Sequence, residues 1–122
     1  MKSIYFSILL IFMAYGLNLK EIGMIRFVEP VSAGDELAIH INLLNEGRYT
    51  FPSFKLSGYI PELELRSSVN LFDLGNNEKA AKWLFFDIPI GTKPGFYLVE
   101  ISAIGKDDPM FHEKEYRYVQ IV

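Results

Sequence analysis

The chain has no cysteine. That excludes disulfides, zinc–thiolate sites, a thiol nucleophile and a lipid attached through an N-terminal cysteine, and it leaves the redox compartment open. Histidine is nearly as scarce, with His40 and His112 alone, whereas a metal centre usually takes roughly three or four protein ligands at fixed geometry. A blue-copper site would need the missing thiolate as well. Positive charge is not in excess: Lys and Arg number 12 against 15 Asp and Glu, for a net charge of −3. With no basic field to attract a phosphate backbone, nucleic acid is not expected as a partner. Glycine-rich phosphate loops, the G-x-S-x-G nucleophile elbow, the D-x-D-x-D-G calcium loop and the N-x-S/T glycosylation signal are all absent.

A length of 122 residues, half of them hydrophobic, supports one domain with a real core and hardly two. The one long apolar run is at the N-terminus, where Lys2 precedes IYFSILLIFMA and then the small-x-small pattern Ala14-Tyr15-Gly16. Its apolar heart matches the about 7 to 15 residues of a signal-peptide core and falls short of the roughly 20 that span a bilayer comfortably. Residues 1–18 are therefore expected to be a signal peptide cut near Gly16, with an uncleaved membrane anchor as the alternative, and residues 19–122 to be the folded domain. Export to the cell surface or exterior follows, with the membrane involved only through this segment.

The domain reads as strands. Leu37, Ile39, Ile41 and Leu43 recur at every second residue, as do Phe54, Leu56, Gly58 and Ile60 across the Asn45-Glu46-Gly47 turn. Met24–Val28 forms a first strand ended at Pro30, Glu62–Arg66 a short one after Pro61, Ala80–Pro89 an aromatic-rich one, Phe96–Ile104 and Lys114–Val122 two long ones. Ser67–Gly75 has no clean period and reads as a crossing loop. About seven short strands with frequent turn signals, and no long amphipathic helix, predict an all-β, immunoglobulin-like antiparallel β-sandwich preceded by the N-terminal hydrophobic segment. Its core is expected at Leu37, Ile39, Ile41, Leu56, Ile60, Leu84, Phe86, Ile88, Val99 and Ile101. Tyr97, opening a strand after the Pro94-Gly95 corner, is placed to bond its hydroxyl back to nearby backbone.

The succession VSAGDELAIHINLLNEG, GYIPELELR, FDLG, FFDIPIGTKPGFYLVEIS and EYRYVQIV resembles the CARDB family, cell-adhesion-related immunoglobulin-like modules of surface and secreted proteins, many of them archaeal. The likeness spans Ile25 to Val122 and rests on Gly34-Asp35, Asn45-Gly47, Ile88-Pro89 and Pro94-Gly95-Tyr97. It implies a sandwich that works by adhesion or binding. One departure is Trp83, which lies near the start of a late strand and not at the inter-sheet position of antibody-type domains.

Chemistry-bearing residues are few. His40 occupies an outward strand position and reads as solvated. Asp107, Asp108, Glu113 and Glu115 form an acidic hairpin, solvated or, as the alternative, holding calcium; Glu62 and Glu64 share a strand face. No catalytic, cofactor or metal residue is assigned, and a non-enzymatic protein is expected. The binding surface is expected among Tyr49, Phe51, Tyr59, Trp83, Phe85, Tyr116 and Tyr118, several of which occupy the polar phase of their strands. Its partner would be a protein or a cell-surface glycan, the latter making the chain a carbohydrate-binding module built on exposed rings. Edge strands near the chain ends also offer self-association, with Ile4–Met13 as a donated strand if that segment is retained.

Overall fold

The computed structural model describes residues 22–45, 50–105 and 111–122. The N-terminal segment 1–18, its boundary at residue 19, Tyr49 and the Asp107-Asp108 pair lie outside them. Among the described residues there are eight strands: β1 (Ile22–Phe27), β2 (Glu36–Leu44), β3 (Phe51–Ile60), β4 (Leu65–Ser68), β5 (Phe72–Leu74), β6 (Lys79–Asp87), β7 (Gly95–Gly105) and β8 (Phe111–Ile121). They form a three-stranded sheet in the order β1-β2-β6 and a five-stranded sheet in the order β4-β3-β7-β8, with β5 also paired to β3. All strand pairs are antiparallel.

Alternation dictates how the sheets meet. The central strands β2, β3 and β7 bury alternate side chains over most of their length, so each sheet has one apolar face, and the two faces close on each other. The ten positions expected in the core are at most 2% exposed. Gly58 marks the tightest approach: a Cβ there would lie 2.8 Å from Phe86 Cζ and 3.0 Å from Leu84 Cδ1, so a β3 side chain is given up to admit two from β6.

Turn chemistry follows the sequence closely. Gly34 adopts φ of 87° ahead of β2, and Asp35 Oδ2 accepts the Ser32 N–H at 2.9 Å. At the Pro94-Gly95 corner the Tyr97 hydroxyl donates to Lys93 O at 2.6 Å. Between β1 and β2 the chain changes sheets: Val31 bridges Ile121 in parallel, and Val122 N–H donates to Val31 O at 2.9 Å.

Four expectations are corrected. The segment Ser67–Gly75 is not simply a loop, because β3 is ten residues long and its outer edge is shared, β4 pairing with its C-terminal half and β5 with its N-terminal half. Glu62–Arg66 is not one strand: Pro61 starts a 3-10 turn over Pro61–Leu63 and Glu64 takes φ of 52°, so Glu62 and Glu64 share no strand face. Asn45 is buried and more than a turn residue, its Nδ2 donating to Leu74 O at 3.2 Å and its backbone N–H to Glu78 O at 3.0 Å. Glu113 and Glu115 are not a solvated pair either: both lie half-buried on the inward phase of β8, Glu113 Oε1 accepting the Ile22 N–H at 3.2 Å.

Candidate functional site

The outward faces of the two sheets carry different chemistry. On the three-stranded sheet the register sets Arg26 opposite His40 and His40 opposite Trp83, with Ala38 opposite Phe85 one step along. Trp83 and Phe85 are neighbours on one face of β6 because they are two residues apart. Their rings stack at 6.1 Å with planes 11° apart, and the His40 ring sits 4.7 Å from Trp83 at 56°. Small Ala38 leaves Phe85 uncovered, at 49% exposure against 39% for Trp83. The backbone beneath is fixed, since Phe85 N–H donates to Ser67 Oγ of β4 at 3.2 Å. Met24 on β1 and Val28 just past its end extend the same sheet's exposed apolar surface. Where β1 bulges between Ile22 and Ile25, a shallow apolar groove of about 470 Å³ is lined by Gly23, Asn42, Leu44 and Ala81.

The five-stranded sheet is polar at its centre. Arg66, Tyr59, Glu100 and Tyr116 stand in one row across four strands, with the Arg66 guanidinium 3.9 Å over the Tyr59 ring. The next row is Ser68, Ser57, Ser102 and Lys114, and its short serines floor a depression of about 290 Å³. Lys114 Nζ reaches back to Glu100 Oε1 at 3.0 Å, and that hydrogen bond, with the carboxylate charge, raises the lysine's proton affinity above the usual range. Towards the corner the face turns apolar, with Tyr118 and Phe96 both well exposed.

Of the seven aromatic residues expected to form one surface, the six that are described are therefore not together. Trp83 and Phe85 belong to one sheet, Tyr59, Tyr116 and Tyr118 to the other. Phe51 is a correction: it is 6% exposed, in the core, with its ring 5.8 Å from Phe54. A shift in the β3–β5 register between Phe51 and Phe54 reverses the strand's phase there and turns both rings inward. His40 and Arg26 belong with Trp83, but only the β1–β2–β6 register reveals it. Among the described residues no three His, Asp or Glu side chains gather where a metal could be held.

No family model and no curated protein matches the chain. Among solved structures it is similar to the CARDB domain of a Pyrococcus furiosus protein in complex with di-metal ions, at a TM-score of 0.58 and 16% identity, over 85% of this chain and 91% of that one. It is similar also to a family 123 glycoside hydrolase from Clostridium perfringens, at a TM-score of 0.57 and 15% identity, over 75% of this chain and only 22% of the hydrolase. At such identity these likenesses show the fold. The CARDB resemblance carried by the turns is borne out at that level.

Proposed function

We propose that this CARDB-like sandwich is an exported, non-enzymatic module that binds a protein at the cell surface through the outward face of its three-stranded sheet. The observation that carries the reading is the exposed pair Trp83 and Phe85, stacked on each other and braced by His40 on a fixed strand. Exposed aromatic rings on a rigid scaffold supply contact area at low entropic cost and are typical anchors of protein interfaces. Export is supported by the apolar run and small-x-small pattern at the N-terminus, and the non-enzymatic reading by the lack of any nucleophile elbow or phosphate loop. The di-metal ions of the Pyrococcus domain are not carried over to this chain, because no ligand group for them gathers among the described residues.

A carbohydrate-binding module would present its rings side by side as a platform for sugar faces. Here the Trp83 and Phe85 rings sit on one sheet face with exposed Met24, Arg26 and Val28 and with His40 against Trp83, a mixed apolar and charged surround of the kind protein interfaces carry, which favours a protein partner. Trp83 is the chain's only tryptophan, so its emission reports on this face alone. The chain is expected to be retained on cell envelopes, to lose retention when the envelopes are treated with protease, and to lose it with Trp83→Ala and Phe85→Ala combined while keeping its unfolding midpoint. A shift of Trp83 emission on adding oligosaccharides, or retention unchanged in the double variant, would overturn the reading.

A further inference from the structure

The depression on the outward face of the five-stranded sheet exists because short side chains make its floor. Ser57 of β3 stands between Ser68 of β4 and Ser102 of β7 in one row of the register, with Lys55 in the row on one side and the Tyr59–Arg66 pair in the row on the other. Strands lie about 4.8 Å apart, and same-face residues about 6 to 7 Å apart along a strand. Long side chains set around Ser57 at these spacings enclose a space that the serines leave unfilled. Its volume of about 290 Å³ falls at the small end of ligand sites, which run from about 300 to 1,000 Å³. Every residue that lines it is among the described ones.

The charge of this lining runs against that of the chain. The net charge of the protein is −3, yet Lys55 and Arg66 both border the depression, and among the described residues no carboxylate pairs with either. The Arg66 guanidinium lies 3.9 Å over the Tyr59 ring, a contact that holds it in place without consuming its N–H donors. Ser57 and Ser102 are half-buried, and among the described residues their hydroxyls make no hydrogen bond. A guanidinium, an ammonium and serine hydroxyls form a donor-rich set suited to an oxyanion. Glu100 narrows the choice, because a carboxylate in the same lining repels a bare anion. Lys114 engages its Oε1 at 3.0 Å and offsets its charge, and a carboxylate accepts hydrogen bonds from hydroxyl groups. The lining therefore matches a molecule that carries one oxyanion and several hydroxyls.

We propose that this depression is a second binding site, taking one acidic sugar unit of the uronic acid kind, with its carboxylate held by Arg66 and Lys55 and its hydroxyls by Glu100 and the serines. The site lies on the sheet opposite to Trp83 and Phe85, so it stands or falls apart from the protein-binding face. A single sugar unit binds weakly, so retention on envelopes still reports on the Trp83 face.

Calorimetric titration of the full chain with sodium glucuronate, glucose, sodium acetate and inorganic phosphate, at constant ionic strength, tests it. Glucuronate is expected to bind one to one, and roughly tenfold or more tighter than any of the other three. Arg66→Gln should remove most of its advantage over glucose, and Ser57→Leu, which fills the floor, should abolish binding, both with circular dichroism and unfolding midpoint kept. Lys79→Gln, which removes an exposed lysine from the other sheet, should change nothing. No heat with glucuronate would overturn the proposal. Glucose binding as tightly would refute the need for the anion, and acetate or phosphate binding as tightly would refute the sugar. Binding that survives Arg66→Gln and Ser57→Leu, or that falls equally with Lys79→Gln, would refute the location.

Discussion

The Tyr97 hydroxyl lies 2.6 Å from the carbonyl oxygen of Lys93, to which it donates across the corner that opens β7. Pro94 and Gly95 bend the chain so that a side chain four residues on reaches back, with its ring in the core and its oxygen at the turn. Tyr97→Phe keeps the ring and removes the bond. It is expected to lower stability by about 1 kcal/mol, the usual net worth of such a hydrogen bond, measured by urea denaturation; a variant as stable as the parent would show that the corner holds without it.

Gly58 has its place because two β6 side chains occupy the space its Cβ would take. Gly58→Ala is expected to destabilise by about 1 to 3 kcal/mol, the range for overpacking a tight core. An unchanged or raised melting temperature would contradict the close approach of the sheets at this point.

Phe86 supplies the nearest of those atoms, and its truncation to Ala should cost about 3 to 5 kcal/mol, that of Ile41 about 2 to 5 kcal/mol. Because Phe86 and Gly58 share one space, their effects should not add. In the Phe86→Ala background the alanine at position 58 is expected to lose most of its penalty, and strictly additive losses in a double-mutant cycle would refute the shared contact.

Glu100 stabilises the protonated form of Lys114, first through the hydrogen bond and then through its charge. A lysine whose proton affinity is raised by folding contributes stability that is fully present below its ordinary pKa of about 10.4 and is lost as pH rises through the higher folded value. Lys114→Gln should therefore be slightly less stable than the parent at neutral pH, as befits an exposed pair, and the difference should vanish in strong alkali. An equal offset at both extremes would detach it from this ionisation.

Where side chains alternate without interruption, in β2, β6 and β7, the sequence was enough to place every core residue expected of it. Legibility fails where pairing, and not local pattern, decides. Phe51 looks outward by counting from Phe54, and only the β3–β5 irregularity between them turns it in. β5 is three residues long and exists because β3 has backbone left to satisfy. The rings of Trp83 and Tyr59 have the same strand phase, yet they face opposite sides of the molecule because β6 and β3 belong to opposite sheets. Likewise, alternation puts Glu113 and Glu115 in phase with Val119, but that they stand on the last strand of the described five-stranded sheet depends on the strand order.

The single bond between Val122 and Val31 also determines how tension would travel. Val31 runs parallel to the end of β8. Pulling the chain toward its N-terminal side at Val31 and toward its C-terminal side at Val122 would therefore slide two parallel segments past each other. The load would reach the clasp as shear along the strands, shared with the β7–β8 ladder beside it, so the fold would resist stretching as a bolted lap joint does and would not peel open one bond at a time.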